Sequence, residues 1–246
     1  MPDLTETSGV RYLESTRFMR RDIKDYQREA IAETDPFKTY PGAKTTSLPR
    51  SWDLIESEIV PLLQNRRSLR KYSENAIDLT ELAFMLWASQ GITAQAGNYF
   101  FRTSPSGGAL YPIETYLSVQ RVEGLETGLY HYNVGDFSLE RLESGETGEK
   151  IASACLEQKF MAKAPVIFLW SGIFRRSMSK YGNRGMRYIL LDAGHVCQNL
   201  LMGAEAIECG GCPVAAFYDD ELNGLLQLDG EEESVLYTAA VGKKRS

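Results

Sequence analysis

One long helical pattern, residues 183–208, constrains the fold of this chain more than any other feature. Its apolar residues recur at helical spacing and form a wide stripe: Ile189, Leu190, Ala193, Val196, Cys197, Leu200 and Leu201. A stripe of this width is typical of a helix that other elements cover over most of its surface. We therefore predict a central helix that is buried in a core built by the rest of the chain.

Short strand patterns surround this helix. The candidate strands are residues 113–122, 128–132, 137–142, 164–170, 213–217 and 234–241. The first three follow one another closely, with turn residues at 133–136, and they predict an antiparallel meander. The run at 164–170 is continuously apolar, which predicts a strand in the centre of the sheet.

The remaining helical patterns fall between the strands without a regular βαβ rhythm. They lie near residues 10–32, 52–65 and 219–226, and a fourth begins at the capping-box sequence Asp78-Leu-Thr-Glu81 and ends at Gly91. Helices mixed with antiparallel strands in this way indicate the α+β class. We interpret residues 1–50 as an N-terminal arm and residues 51–246 as one domain.

The charge balance excludes several classes of partner. The chain of 246 residues has 27 basic and 33 acidic residues, a net charge of −6. General nucleic-acid binders and proteins that bind anionic membranes need a broad basic face, so we expect neither partner. No apolar run is long enough to span a bilayer, and the N-terminal sequence is charged without a signal-peptide pattern. We therefore expect a cytoplasmic protein.

A cluster of three arginines and a serine stands out in this acidic chain: Arg66, Arg67, Ser68 and Arg70. Guanidinium groups bind phosphate oxygens through paired hydrogen bonds, and a serine hydroxyl adds a donor. The cluster therefore predicts a phosphate site. A solvated positive turn that pairs with surface carboxylates explains the same spacing.

A glycine-containing loop, Ser-Pro-Ser-Gly-Gly-Ala-Leu-Tyr-Pro at 104–112, precedes the first predicted strand. Gly107 and Gly108 have no β-carbon, so their N–H groups can approach a planar ligand or an anion, and Ser106 can donate to a carbonyl. The glycine spacing matches neither a Rossmann site nor a P-loop. A simple turn into the strand is the alternative.

The long helical pattern and the residues before it carry groups that could move protons. Lys180 and Tyr181 can act as general acid or base when a pocket shifts their pKa values. Asp192, His195 and Asn199 follow on one face of the helix. A single histidine on a buried helix is more often structural than catalytic, so we interpret His195 as a hydrogen-bonded structural residue.

The sequence Cys209-Gly-Gly-Cys212 suggests a metal or redox site. A tetrahedral zinc needs two more ligands, and a redox dithiol needs a thioredoxin-like βαβ context that the patterns do not provide. We predict no metal site. A Gly-Gly turn whose backbone amides face a ligand is the simpler interpretation. The four cysteines of the chain are also too few for a disulfide scaffold.

Taken in order, these segments resemble the nitroreductase superfamily, and within it the SagB-type dehydrogenases, which are related to the flavin oxidases of thiazole/oxazole-modified peptide biosynthesis. The resemblance extends from about Arg66 to Gly242. Its motifs are Arg-Arg-Ser-Leu-Arg at 66–70, Pro-Ser-Gly-Gly-Ala-Leu-Tyr-Pro at 105–112, Gly-Leu-Tyr-His-Tyr at 128–132, Lys-Tyr-Gly at 180–182, Asp-Ala-Gly-His-Val-Cys-Gln-Asn at 192–199 and Phe-Tyr-Asp-Asp at 217–220.

The resemblance implies an FMN-dependent oxidoreductase with a central antiparallel sheet flanked by helices, working as an intertwined homodimer. Residues 51–246 would be the FMN-binding domain. The cluster at 66–70 would hold the ribityl phosphate and the pyrimidine edge, and the loop of the other subunit would approach the ring. The implied cofactor-binding residues are Arg66, Arg67, Ser68, Arg70, Pro105, Ser106, Gly107, Gly108, Pro213, Val214, Ala215, Ala216, Lys243 and Arg245.

The resemblance also implies a reaction. Lys180 and Tyr181 match the Lys-Tyr pair of the peptide-azoline oxidases, so they would remove a proton from carbon while a hydride leaves for flavin N5. The substrate would be a modified peptide or a related small molecule. An NAD(P)H-dependent nitro or quinone reductase is the first alternative, and a flavin-binding protein without catalytic activity is the second.

Overall fold

The computed structural model describes residues 7–19, 35–52 and 55–245. Within these ranges nine strands form two sheets: β1 (Lys44–Ser47), β2 (Ile92–Ala96), β3 (Tyr99–Arg102), β4 (Ile113–Val119), β5 (Gly128–Asn133), β6 (Ser138–Ser144), β7 (Val166–Ile173), β8 (Cys209–Val214) and β9 (Glu233–Lys243). Seven of them form one sheet in the order β1-β6-β5-β4-β7-β9-β8, and each neighbouring pair is antiparallel. The α+β class with an antiparallel sheet is confirmed.

The helices cover both faces of this sheet. They are α1 (Ser8–Ser15), α2 (Ile59–Asn65), α3 (Leu79–Gln90), α4 (Gly148–Ala154), α5 (Phe174–Tyr181), α6 (Gly185–Ala206) and α7 (Asp219–Leu226). Buried residues of α3 and α6 pack on one face, and buried residues of α4 and α7 pack on the other. In the described parts of the chain, no helix has the length and apolar character needed to cross a membrane.

Strand β7 shows why its sequence is continuously apolar. It pairs with β4 on one side and with β9 on the other, so it is a central strand as predicted. Val166, Phe168 and Trp170 belong to the core under α3 and α6. Ile167 and Leu169 belong to the core under α4 and α7. Alternate side chains point to opposite faces of a strand, and here both faces are buried.

The two helices that the sequence marked most clearly are present. Asp78 accepts a hydrogen bond from the N–H of Glu81 at 2.8 Å, and the Glu81 carboxylate accepts one from the N–H of Asp78, so the capping box at the start of α3 is confirmed. Helix α6 is the predicted long helix, entered through a short 3₁₀ turn at Gly182–Arg184. Its buried residues include Ile189, Val196 and Leu200.

The helical prediction at residues 52–65 was too long at its start. Helix α2 begins at Ile59 instead of residue 52, which places Pro61 in its first turn, where the missing N–H of proline costs no helical hydrogen bond. Trp52 lies outside the helix and stacks on Trp87, with 5.0 Å between the ring centroids. The pattern near residues 10–32 overlaps α1, which ends at Ser15, and residues 20–34 lie outside the described ranges.

The prediction of a Gly-Gly turn at 209–212 was wrong, because these residues form most of β8. Cys209 pairs with Lys243, and Val214 pairs with Thr238. The strand therefore extends from residue 209 to residue 214, whereas the prediction placed it at residues 213–217. A β-carbon on Gly211 would lie 3.0 Å from the carbonyl oxygen of Ala240 and 3.1 Å from the side chain of Leu201. Glycine is required here by close packing against α6 and β9, not by a turn.

Helices α4 and α5 and the hairpin of β2 and β3 carried no clear signal in the sequence. Helix α5, Phe-Arg-Arg-Ser-Met-Ser-Lys-Tyr, follows β7 directly, and six of its eight residues are polar or charged or a tyrosine. The hairpin strands are mostly exposed, so their side chains do not alternate between buried and exposed positions. Pattern analysis depends on a regular buried face, which α5 and the hairpin largely lack, whereas α4 has buried residues but is only seven residues long.

Candidate active site

The arginine cluster lies against the outer edge of the sheet, which β8 forms. The N–H of Leu69, inside the cluster, donates to the carbonyl of Gly211 at 3.0 Å. The buried hydroxyl of Tyr72 lies 2.9 Å from the carbonyl of Leu69 and 3.1 Å from that of Ala240, which fixes the end of the segment to β9. A β-carbon on Gly210 would lie 3.0 Å from the side chain of Leu69. The glycine therefore lets the cluster lie close to the strand.

The arginines of this cluster are available to an anion. Among the described residues, no carboxylate forms an ion pair with Arg66, Arg67 or Arg70. The guanidinium of Arg67 donates to the carbonyls of Gln64 and Arg66, both at 2.8 Å. The alternative of a positive turn that pairs with carboxylates finds no such pair within residues 7–19, 35–52 and 55–245. Cations that are not neutralised attract a phosphate more strongly than neutralised ones do.

Residues 68 and 70 also influence a buried thiol on β8. Burial raises the pKa of Cys212, while the charge of Arg70 and a hydrogen bond with the Ser68 side chain lower it. Four cysteines in the described residues are free and buried. The cluster and β8 thus share side-chain contacts in addition to the backbone hydrogen bond.

Two other predicted segments lie at the same edge. Pro213 pairs with Ala239 near the end of β8, and proline is tolerated at a sheet edge because no neighbouring strand needs its N–H. The carbonyl of Val214 accepts a hydrogen bond from the Thr238 hydroxyl at 3.0 Å. Ala215 and Ala216 follow and are exposed, so their backbone faces solvent.

The basic residues near the C-terminus are held by other parts of the chain. Arg245 donates from Nε to the carbonyl of Tyr72 at 2.8 Å, which places it beside the arginine cluster. The amine of Lys243 lies 3.0 Å from the carboxylate of Glu81, at the start of α3. Arg245 is therefore well placed for the predicted phosphate site, whereas Lys243 already has an anionic partner.

The glycine loop is attached to α6 through Asp192. The hydroxyl of Ser106 donates to the Asp192 carboxylate at 2.6 Å, and the N–H of Gly107 approaches the same carboxylate at 3.4 Å. Ser106 also accepts a hydrogen bond from the N–H of Tyr111 at 2.9 Å. The single hydroxyl hydrogen of Ser106 thus points to Asp192 instead of outwards. Pro105 is exposed and Gly107 half-buried.

Lys180 and Tyr181, at the end of α5, lie directly beside this loop. Gly108 has a φ of +71°, and a β-carbon there would lie 2.8 Å from the Lys180 amine and in still closer contact with the Tyr181 hydroxyl. The Tyr181 ring packs edge-on against Tyr188, with 4.9 Å between centroids. The structure therefore brings the predicted acid/base pair and the predicted glycine loop into one place.

A buried ion pair that the sequence did not indicate fixes the position of α5. Arg176, one turn before Lys180, pairs with Glu114 on β4, and both side chains are buried. Arg176 also donates to the carbonyl of Tyr111 at 3.1 Å, which links α5 to the glycine loop. Because α5 itself was missed, no pattern pointed to Arg176. Its spacing of four residues from Lys180 is informative only when both lie on a helix.

The buried ion pair is part of a larger charged group. Nε2 of His131 lies 2.9 Å from Glu114, and Nδ1 lies 2.8 Å from Glu140. Burial by itself would raise the pKa of Glu114, but the charge of Arg176 and the hydrogen bond with His131 outweigh it and lower the pKa to about 2. Burial lowers the pKa of His131, but the two carboxylates outweigh that effect and raise it overall.

The prediction for His195 was wrong: its side chain is exposed, whereas Asp192 is buried and Asn199 is half-buried. At 3.6 residues per turn, residue 199 lies about 20° around the helix from residue 192, while residue 195 lies about 60° away. Asn199 accordingly reaches the same loop as Asp192 and donates to the Ser104 hydroxyl at 3.0 Å.

Within one chain, the candidate residues form two separate groups along α6. The phosphate group is Arg66, Arg67, Ser68, Arg70, Pro213, Val214, Ala215, Ala216, Lys243 and Arg245. The acid/base group is Pro105, Ser106, Gly107, Gly108, Lys180 and Tyr181. Helix α6 contacts the acid/base group at Asp192 and β8 at Leu201. Nine residues of helix separate these contacts, about 14 Å along the axis.

A family model described as "Nitroreductase family" matches residues 63–243. The chain belongs to the nitroreductase family. The matched residues include the arginine cluster, the glycine loop, the Lys-Tyr pair and β8, so all candidate residues except Arg245 lie inside the family domain.

Relatives of this nitroreductase-family chain include one named as a nitroreductase and one named as a processing protein. The nitroreductase-like protein MJ1384 of Methanocaldococcus jannaschii is 37% identical over 78% of this chain and 94% of its own length. The trifolitoxin-processing protein TfxB of Rhizobium leguminosarum bv. trifolii is 27% identical over 92% of this chain and 65% of its own length. The resemblance to SagB-type proteins is confirmed by TfxB and similar relatives.

A solved structure of a nitroreductase-like protein from Anabaena variabilis has the same fold. It superposes with a TM-score of 0.76 and 24% identity over 94% of this chain. The chain covers 45% of that protein, so it spans less than half of this structural relative and just under two thirds of TfxB.

Proposed function

We propose that this chain is an FMN-dependent oxidoreductase that removes two hydrogens from a heterocyclic substrate, in the manner of azoline-to-azole dehydrogenation. The observation that carries the proposal is the contact of Gly108 with both Lys180 and Tyr181. Two groups that can transfer protons lie beside a glycine backbone that has no β-carbon. The open backbone can accommodate a planar substrate, and either group can take a proton from one of its carbons.

The residues at the sheet edge fit the phosphate end of FMN. Arg66 and Arg70 have no carboxylate partner among the described residues, and Leu69, which precedes Arg70, is hydrogen-bonded to Gly211 of β8. Arginine forks match phosphate oxygens in pairs of hydrogen bonds, so the donor set suits a phosphate dianion. The exposed backbone at Ala215 and Ala216 would lie along the flavin.

The chemical work is divided between cofactor and protein. FMN, when bound, supplies the acceptor for the hydride that leaves the substrate. Lys180 or Tyr181 accepts the proton from the adjacent carbon, so the substrate loses two hydrogens and two electrons in all.

We also propose that the active unit is a homodimer. One FMN would use the phosphate group of one chain and the glycine loop of the other, as the resemblance to SagB-type proteins implies. Because Lys180 and Tyr181 contact Gly108, the acid/base pair would come from the same subunit as the loop.

The first experiment tests the cofactor and the reaction. The purified protein should be yellow and should release FMN on denaturation, and a synthetic thiazoline-containing peptide should bleach the bound flavin under anaerobic conditions. Rapid bleaching by NADPH alone would favour a reductase instead, the activity that the name of MJ1384 suggests. A protein that cannot bind FMN would refute the proposal.

The second experiment tests the shared site. The variants Arg66→Ala/Arg70→Ala and Lys180→Ala should each be inactive, but mixing them under conditions of subunit exchange should restore about a quarter of the activity, because half of the dimers are mixed and each contains one intact site. If the site lies within one chain, mixing restores nothing.

A further inference from the structure

The glycine loop is held to α6 at two points that lie two helical turns apart. Asn199 donates to the carbonyl of Thr103 at 3.3 Å and to the hydroxyl of Ser104 at 3.0 Å. Asp192 accepts hydrogen bonds from Ser106 and Gly107. The first point holds the start of the loop, and the second holds the residues that lead directly into Gly108.

The second point is a chain of hydrogen bonds with a fixed direction. The N–H of Tyr111 donates to the Ser106 hydroxyl, and that hydroxyl donates to Asp192. Both oxygens of a carboxylate accept hydrogen bonds. In Asp192 one oxygen faces the Ser106 hydroxyl and the other faces the Gly107 N–H. Asp192 is 4% exposed, so water does not compete effectively for these bonds.

The loop needs such an anchor because its backbone is strained. Ala109 and Tyr111 have φ values of +56° and +44°, in the region that residues with a β-carbon rarely occupy. Positive φ at such residues persists only when the surrounding structure enforces it. The Tyr111 N–H is itself part of the chain of hydrogen bonds that ends at Asp192.

A small gap remains between the loop and the residues behind it. A cavity of about 10 Å³ lies beneath it, lined by Ser106, Tyr111, Asp192 and Arg102 among others. This volume is roughly that of one water molecule. Nε of Arg102, which is buried, has no hydrogen-bond partner within the described residues. Packing around the loop is therefore incomplete at this point, and the hydrogen bonds to α6 contribute to holding it.

We propose that Asp192 is a positioning residue: as a buried carboxylate it holds Ser106 and Gly107 and thereby sets the distance between the Gly108 backbone and the Lys180–Tyr181 pair. The inference rests on the proposed function, since the catalytic residues it positions are those assigned above. Asp192 itself exchanges no proton with the substrate. It acts only through the loop.

The variant Asp192→Asn tests the role of the carboxylate. An amide has one accepting oxygen and places an N–H₂ group against a donor, so one of the two hydrogen bonds must be lost. In FMN-free protein, amide hydrogen exchange in residues 103–112 should accelerate about tenfold or more, as expected for the loss of a hydrogen bond to a charged acceptor. With FMN bound, kcat should fall while KM for the thiazoline peptide changes little, and the flavin absorption spectrum should shift.

A matched control is Glu205→Gln, which changes a second buried carboxylate on the same helix. Glu205 pairs with Lys244 at 2.6 Å and has no contact with the loop among those described. This variant should leave amide hydrogen exchange in residues 103–112, the flavin absorption spectrum and kcat unchanged. If both variants only lower the melting temperature, with exchange, spectrum and kcat as in the wild type, the positioning role is refuted.

A second variant, Ser106→Ala, keeps the test decisive if Asp192→Asn fails to fold. It removes the hydroxyl between Tyr111 and Asp192 and should accelerate exchange in the same residues, and in the double variant the two effects should not add. Unchanged exchange in Ser106→Ala would overturn the inference. Because exchange is measured without FMN, a failure of the proposed function, seen as absence of FMN binding, is distinguishable from a failure of this inference.

Discussion

The amine of Lys180 lies 2.8 Å from the position that a β-carbon on Gly108 would occupy. This relationship joins the end of α5 to a loop that lies more than 70 residues earlier in the chain. It leaves no room for a side chain at residue 108, and it places the lysine amine against a backbone that carries no side chain.

Gly108→Ala should therefore inactivate the enzyme with only a moderate loss of stability. Lys180 and Tyr181 contact residue 108 with the ends of their side chains, which can move aside, so the catalytic groups are displaced before the backbone is. We expect kcat to fall at least about tenfold, and the backbone strain to cost about 1 kcal/mol. Gly124→Ala is the matched control, because Gly124 has a similar φ of +79° with nothing within 4 Å. Equal activity in the two variants would contradict the site.

Lys180→Ala should abolish substrate oxidation while FMN stays bound. Loss of a general base lowers kcat by about 10²–10⁴-fold, and the phosphate group of the site is untouched. Stopped-flow bleaching of the flavin by the thiazoline peptide measures the effect. Lys163→Ala, which removes an exposed lysine from a turn, is the control. Bleaching at the wild-type rate would exclude Lys180 as the base.

Replacing Arg66 and Arg70 together by alanine should weaken FMN binding about 100-fold or more, because two hydrogen bonds to a charged group are lost at about 1.5–3 kcal/mol each. Quenching of FMN fluorescence on titration gives the dissociation constant. Arg175→Ala removes an exposed arginine whose partner is Glu232 and should not change it. Retention of FMN by the double variant would show that the phosphate is bound elsewhere.

Glu114→Gln should destabilise the fold by about 3–5 kcal/mol at neutral pH, because it leaves buried Arg176 without its counter-ion. The pKa of Glu114 in the folded protein, about 2, lies below its ordinary value of 4.5, so its contribution is present above about pH 4.5 and is lost as the pH falls towards 2. Urea unfolding at pH 7 and at pH 3.5 should show a smaller difference between wild type and variant at the lower pH.

The control for this pH dependence is Glu126→Gln. Glu126 also pairs with basic residues, Lys44 and Arg141, but it is exposed. Exposed ion pairs contribute little because water screens them. The urea midpoint of Glu126→Gln should therefore stay close to that of the wild type. A constant difference between wild type and Glu114→Gln at both pH values would mean that the ionised carboxylate is not what stabilises the fold.

Elements with a buried face were predictable from the sequence. Helix α6 and strand β7 were identified because their apolar residues recur with the period of a helix or fill both faces of a strand. The capping box at Asp78 was identified because it uses only local hydrogen bonds. Helix α5 was missed because its anchor, the pair of Arg176 with Glu114, joins residues that are far apart in sequence.

The sequence by itself determined the α+β class, the family and the types of residue available for chemistry, because side-chain periodicity and short motifs are local properties. Only the tertiary structure decided where those residues meet. It turned the predicted Gly-Gly turn into strand β8, placed the arginine cluster on that strand and gathered Gly108, Lys180 and Tyr181 at one point. Such contacts depend on how strands pair and helices pack across the whole chain, and no local pattern encodes them.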